Sequence, residues 1–308
     1  MNEVYDVIIL GAGPAGLTAG IYSSRARLNT LILNEGAVGG QMVLTDEIAN
    51  YPGVEIIKGY AMANIMKKQA KDFGCKIKSN VKIVEYKLEG PVKAVKLEDG
   101  RNFQAKTVIL APGGKPRPLN IPGEDEFKGK GISYCATCDG EFFTGKELIV
   151  VGGGNSALEE AVTLTNFATK VTIVHQFDQF QAFEHAVQEA KKNRKIDFIM
   201  ESELRGFYGN GNLEKVTIEH LPTGKITEKT IDGVFIFIGY MPNTGALENI
   251  IRLNDREEIK VDANMKTNIS GVFAAGDCIA KKYRQVTTAV AEGTIAALSA
   301  AEYLRVQK

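Results

Sequence analysis

Twice in this chain a short apolar run ends in a glycine-rich turn that leads straight into a helical pattern, and this repetition limits the possible folds more than any other feature. The first copy runs from Tyr5 to Leu10, through Gly11-Ala-Gly-Pro-Ala-Gly16, into a helix reaching about Arg27. The second runs from Glu147 to Val151, through Gly152-Gly-Gly-Asn-Ser-Ala157, into a helix reaching about Ala168. Each is followed by another apolar strand, Thr30 to Leu33 and Lys170 to Val174, which completes a strand-helix-strand unit. Parallel strands need a crossover long enough to hold a helix, so each copy predicts a parallel sheet with helices on its faces.

The 308 residues suffice for two such domains at roughly 100 to 200 residues each. Between the copies lie alternating segments at Lys76 to Tyr86 and Pro91 to Leu97, then the apolar run Thr107 to Ala111. These predict an antiparallel flap beside the first parallel sheet. Gly113-Gly-Lys-Pro-Arg-Pro118 and Gly239-Tyr-Met-Pro-Asn-Thr-Gly245 have linker composition and bracket the second copy. The expectation is an α/β protein of two Rossmann-like three-layer domains. Residues 1–115 and 245–308 form one discontinuous domain, and residues 116–244 are inserted in it. A long helix from about Gln285 to Leu304 closes the first domain.

In Gly11-x-Gly13-x-x-Gly16 the first glycine permits a tight turn, the second lets a pyrophosphate approach the backbone, and the third lets helix and strand pack closely. Pro14 and Ala15 stand between them, and the helix start faces the phosphates. A ribose-binding polar residue is expected at the end of the second strand, where Asn34 and Glu35 are both suitable. Near the other end of the domain, Gly271-Val-Phe-Ala-Ala-Gly-Asp277 reads as a strand ending in Gly-Asp. Arg284-Gln285-Val286-Thr287 then opens the last helix, whose positive end suits a cofactor that gains negative charge.

Cys135-Ala-Thr-Cys138 is a redox spacing, because two thiols so placed can close a small disulfide and carry a lowered thiol pKa. Half of a zinc site is the competing reading, but no second Cys or His pair has ligand spacing. Asp139 beside the second cysteine is placed to exchange a proton with a thiolate, or to cap a turn. Cys75 and Cys278 stand alone and read as small buried apolar residues.

Lys+Arg and Asp+Glu both number 37, which favours neither nucleic acid nor an anionic membrane as partner. Neither a signal-peptide pattern nor a bilayer-length apolar run is present, so a cytoplasmic protein is expected.

Taken together, Gly11-Ala-Gly-Pro-Ala-Gly16, Gly39-Gly-Gln41, Asn50-Tyr-Pro-Gly53, Ala111-Pro-Gly113, Cys135-Ala-Thr-Cys138-Asp139, Gly152-Gly-Gly-Asn-Ser-Ala157, Gly276-Asp277 and Arg284-Gln285 resemble the low-molecular-weight thioredoxin reductase family from end to end. The resemblance implies a homodimer with non-covalent FAD on the discontinuous domain. Its contacts would be Gly11 to Gly16, Gly40, Gln41, Asn50, Val81, Ala111, Gly113, Asp277 and Gln285 to Thr287. It also implies that Cys138 takes electrons from the flavin, that Cys135 attacks the disulfide of thioredoxin, and that Asp139 is the acid.

The sequence departs from that family after the second strand of the inserted domain. Members that use NADPH carry arginines there, in a His-Arg-Arg-Asp stretch closed by another Arg before Ala. This chain reads His175-Gln-Phe-Asp-Gln-Phe-Gln-Ala182. Each charge-assisted bond to a 2′-phosphate is worth about 1.5 to 3 kcal/mol, so losing two or three argues against NADPH. His175 also occupies the place where NAD would want a carboxylate, for which Asp178 is a substitute candidate. The second glycine turn then reads as a packing feature without a nucleotide. The pattern resembles the ferredoxin-dependent flavin thioredoxin reductases. Candidate docking faces for an acidic ferredoxin are Lys67, Lys68 and Lys71; Lys191 to Lys195; and Lys281, Lys282 and Arg284. The rival readings are an NADPH- or NADH-dependent thioredoxin reductase and a flavin redox sensor without turnover.

Overall fold

A computed structural model describes residues 3–45 and 47–307. The chain starts with β1 (Val4–Leu10), α1 (Pro14–Arg25) and β2 (Thr30–Asn34), and β2 lies parallel beside β1. Residues Val7 to Leu10 and Leu31 to Leu33 are buried on both faces, as a strand covered by helices on each side requires. Next come α2 (Gly59–Asp72), β3 (Lys76–Ser79), β4 (Ile83–Lys87), β5 (Lys93–Leu97) and β6 (Asn102–Leu110).

The sheet order of these strands is β3-β2-β1-β6-β5-β4. β4 and β5 form the expected antiparallel flap. β3 does not belong to it, because it pairs with β2 in parallel. An alternating pattern is equally compatible with both placements. Here α2 supplies the crossover that returns the chain parallel to β2.

The chain divides into two compact units, Met1–Lys115 with Met241–Lys308, and Pro116–Tyr240. It leaves the first through β7 (Gly114–Pro116). The second unit opens with β8 (Ile132–Ser133) and the one-turn helix α3 (Ala136–Asp139), followed by β9 (Glu147–Val151), α4 (Asn155–Leu164), β10 (Lys170–Val174), α5 (Glu184–Lys192) and β11 (Ile196–Ile199). An antiparallel layer follows, made of β12 (Ser202–Asn210), β13 (Asn212–His220) and β14 (Lys225–Thr230), and β15 (Gly233–Ile236) then returns to the main sheet. That sheet is parallel throughout, in the order β8-β15-β9-β10-β11.

The return strand β16 (Tyr240–Pro242) pairs with β7. The Arg117 amide donates to the Gly239 carbonyl at 3.0 Å, and the Asn243 amide to the Gly113 carbonyl at 2.9 Å. The first unit therefore has the two ends of its interruption side by side, and the second has its own two ends side by side.

The first unit finishes with β17 (Val272–Ala274), parallel to β6, and the helix α6 (Val286–Val306). Buried Ala289, Gly293, Ala296, Ala297 and Ala300 let α6 lie close against α1. A Cβ on Gly293 would fall 2.2 Å from the Ala15 carbonyl oxygen, so any larger residue would force the two helices apart. Among the described residues no helix is long and apolar enough to cross a membrane.

Candidate functional site

Cys135 and Cys138 are joined in a disulfide, with their Cα atoms 5.3 Å apart. Cys135 is the extended N-cap of α3, and its sulfur accepts the Cys138 amide at 3.2 Å. β8 delivers the chain to this point from within the parallel sheet, so the pair begins on a fixed backbone. Tyr134 is anchored as well, since its hydroxyl donates at 2.6 Å to the buried carboxylate of Glu124.

Asp139 is half-buried, and burial pushes its carboxyl above the ordinary value, opposed by a hydrogen bond from Ser133. That Ser133 Oγ to Asp139 Oδ2 contact is 2.6 Å. No sequence motif marks Ser133. The two lone cysteines are buried as expected, and burial pushes the thiols of Cys75 and Cys278 up to about 12.

In the first unit the residues that the resemblance assigns to FAD gather at the strand ends and helix starts. Gly11 has φ +109°, and a Cβ there would sit 2.0 Å from the Ala111 carbonyl oxygen. A Cβ on Gly16 would sit 1.9 Å from the Gly11 oxygen. Gly13 caps α1 without any side-chain bond, Pro14 takes the first helical position, and Ala15 is buried behind it. Gly13 faces Gly40 so closely that a Cβ on Gly40 would meet the Gly13 Cα at 3.0 Å. Gln41 is exposed beside Gly40, Val81 and Ala111 are buried, and Gly113 turns the chain at φ +66°.

Asn34 holds the turn from below. Its side-chain oxygen accepts the Ala12 amide at 2.9 Å, and its nitrogen donates to the Gly36 and Ala37 carbonyls. Glu35 is exposed and accepts the Ile83 amide at 3.3 Å. At the far end, Asn50 donates to the Gln285 side chain at 3.2 Å across 235 residues of sequence. Gln285 closes a capping box with Thr288, which leaves Val286 and Thr287 half-buried in the first turn of α6.

Asp277 Oδ1 is buried and lies 3.1 Å from the Lys281 ammonium as an ion pair, yet no donor offers it a well-directed hydrogen bond among the described residues. A glycine cradle and a buried carboxylate oxygen without a well-directed hydrogen bond both fit a dinucleotide, which would bring phosphates to the first and hydroxyl groups to the second.

The second glycine turn is furnished differently. Gly152 has φ +134°, and a Cβ there would lie 2.4 Å from the Phe237 oxygen, so the turn itself matches the first. His175, however, lies directly against Gly153, whose Cβ would fall 2.3 Å from the imidazole ring. The ring is 4% exposed, stacks on Phe180 at 5.6 Å, meets Phe177 edge-on at 5.4 Å, and bonds through Nε2 to the Gln179 carbonyl at 3.1 Å. Burial lowers its pKa and so favours the neutral form.

The same loop is tied down at Gly153, whose carbonyl accepts the Gln181 amide at 2.8 Å, and at Asn155, whose side chain accepts the Phe183 amide at 2.7 Å. Gln176 and Asp178 are exposed. Gly154 alone keeps open space around it.

The expected basic faces fare unequally. Lys281 pairs with Asp277 and Glu292, and Arg284 pairs with Glu258, so that cluster is largely neutralised within the fold. Lys68 pairs with Asp72, and Lys195 caps the Thr165 and Ala168 carbonyls. Lys67, Lys71, Lys191, Lys192 and Arg194 have no acidic partner among the described residues.

A profile of the pyridine nucleotide-disulphide oxidoreductase family matches residues 5–293. The chain is 46% identical over 311 residues to the thioredoxin reductase of Peptoclostridium acidaminophilum, covering 99% of this chain and 98% of the relative. It is 44% identical to that of Bacillus subtilis, covering 98% and 96%. The crystal structure of thioredoxin reductase from Streptococcus pyogenes superposes with a TM-score of 0.94 at 42% identity, covering 99% of this chain and all of that one.

Proposed function

We infer, because the chain belongs to the pyridine nucleotide-disulphide oxidoreductase family, that it is a flavin-dependent thioredoxin-disulfide reductase. One observation carries the reading. The Cys135–Cys138 disulfide stands at a helix start beside Asp139, whose carboxyl is pushed toward its acid form, in a chain similar over its whole length to thioredoxin reductases. Cys135 attacks the disulfide of thioredoxin, Cys138 resolves the mixed disulfide, and Asp139 supplies the proton to a departing sulfur.

FAD, when bound, supplies the electron pair that restores the dithiol. Gly11, Gly13, Gly16 and Gly40 would hold its pyrophosphate. Gln41, Asn50, Val81, Ala111, Gly113 and Asp277 would line it, and Gln285 to Thr287 would offer the start of α6. Asn34 and Glu35 remain the ribose candidates, with Asn34 committed to the turn beneath it and Glu35 exposed. On this reading residues 1–115 and 245–308 bind FAD, residues 116–244 carry the redox pair, and the enzyme is a cytoplasmic homodimer.

We propose ferredoxin as electron donor. The loop after β10 lacks arginine, and a neutral, buried imidazole presses on Gly153, so nothing there recognises a 2′-phosphate. The open backbone at Gly154 favours a second reading with NADPH or NADH as donor. Anaerobic titration of the flavin separates them. Reduced ferredoxin is expected to bleach it, and bleaching within milliseconds by micromolar NADPH would overturn the ferredoxin assignment. Failure of every donor to support thioredoxin reduction would leave the sensor reading in its place.

A further inference from the structure

Two residues before Cys135 the chain buries a serine hydroxyl among the groups of the redox centre. Ser133 is 5% exposed and belongs to β8, paired in register with Phe235 of β15, so its backbone is fixed. Its Oγ accepts the Cys135 amide at 3.1 Å and lies 2.6 Å from Asp139 Oδ2 and 3.4 Å from the Cys135 carbonyl. A hydroxyl has one proton, and the short contact to the carboxylate takes it. The result is a directed chain from the Cys135 amide through the Ser133 hydroxyl to the Asp139 carboxylate.

We propose that Ser133 is the positioning residue of this redox centre, holding Asp139 where it can hand a proton to the departing sulfur and tying that carboxyl to the backbone of Cys135. The inference rests on the reading of Cys135, Cys138 and Asp139 as the working groups. In the exchange a thiolate attacks one sulfur of the pair, the S–S bond breaks, and its electrons go to the other sulfur. That sulfur takes the proton of Asp139, which becomes the carboxylate that Ser133 already faces.

No other side chain shares this task. Ser133 is the sole described hydrogen-bond partner of the Asp139 carboxyl. The turn after α3 carries Glu141, and α4, packed against α3, carries Glu159 and Glu160. None of them bonds to Asp139, and no Lys, Arg or His pairs with it among the described residues. Burial favours the acid form and the serine proton favours the carboxylate, so removing Ser133 removes what opposes burial.

The test is the rate at which dithiothreitol reduces the Cys135–Cys138 disulfide in FAD-loaded protein, divided at each pH by the dithiothreitol thiolate fraction. The wild type should show an inflection that Asp139→Asn abolishes. Ser133→Ala should move that inflection up by about one pH unit, the size of one hydrogen bond to a charged group. Ser133→Thr, which keeps the hydroxyl, should return it. A Ser133→Ala profile that superimposes on the wild type would overturn the proposal, as would a threonine variant displaced as far as the alanine one. Dithiothreitol replaces both the donor and thioredoxin. A shifted inflection in protein that never reduces thioredoxin would therefore support the role of Ser133 while sinking the proposed function.

Discussion

At the first glycine turn Gly13 faces Gly40 across bare backbone and the helix start lies uncapped, whereas at the second the His175 imidazole rests on Gly153 and Gln181 is bonded across it. The turns themselves are alike. Gly11 and Gly152 both adopt positive φ, and a Cβ on either would collide with a carbonyl oxygen of a neighbouring strand or loop. That steric demand comes from joining a parallel strand to a helix and holds with or without a ligand. What separates the two turns arrives from the next strand. β2 ends in Asn34, which holds the loop open from beneath; β10 is followed by His175, which fills the approach. A glycine motif therefore certifies a turn, and the end of the following strand decides what the turn can hold.

The comparison breaks most completely if the second unit contributes nothing to turnover. Cys135→Ser should lower thioredoxin reduction to background, by at least about a thousandfold, while the flavin still accepts electrons. Retained turnover in a stopped assay would remove the role assigned to that unit. The turns themselves are tested next. Gly13→Ala should weaken FAD binding about a hundredfold, equivalent to about 2.7 kcal/mol, with folding intact, because a Cβ there meets only the Gly40 Cα at 3.9 Å. Gly154→Ala should leave ferredoxin-driven turnover within about twofold, as nothing surrounds it. Flavin content and turnover of the pair decide the matter, and equal losses would erase the distinction.

Gln176→Arg with Phe177→Arg should sharpen it, raising NADPH affinity about ten- to a hundredfold as read by flavin bleaching. The smallest effect concerns acid. Burial lowers the His175 pKa from its ordinary 6.5, so the folded protein resists protonation there. Stability tied to that ring is present above the ordinary value and is lost as pH falls through it. His175→Phe should flatten the melting temperature between pH 7 and 5, and an unchanged slope would show that the ring is not what responds.

Much of the architecture could be read from local pattern. The glycine turns, the strands at Glu147–Val151 and Lys170–Val174, and the cap of the last helix at Gln285 lie where the residues predict them. Alternation alone assigns Lys76–Ser79 to the flap, because it carries no information about direction, whereas the strand pairs parallel to β2. The docking face at Lys281 and Arg284 was illegible for a related reason. Its neutralising partners, Glu292 and Glu258, come together only through folding. Asn50 and Gln285 meet across the whole domain; the helix start marks Gln285, but only the family resemblance points to Asn50. Ser133 is illegible in the sequence because only its burial and its 2.6 Å contact distinguish it from any other serine beside a motif.

The paired crossings at β7 and β16 carry a consequence for the gene. Because Arg117 bonds to Gly239 and Gly113 to Asn243, the inserted segment begins and ends at a single point of the host. A recombination event could lift it out or exchange it for another without leaving a gap in either part. Such a seam lets the thiol-bearing body and the body that encloses its ends be inherited, diversified and recombined as separate cassettes.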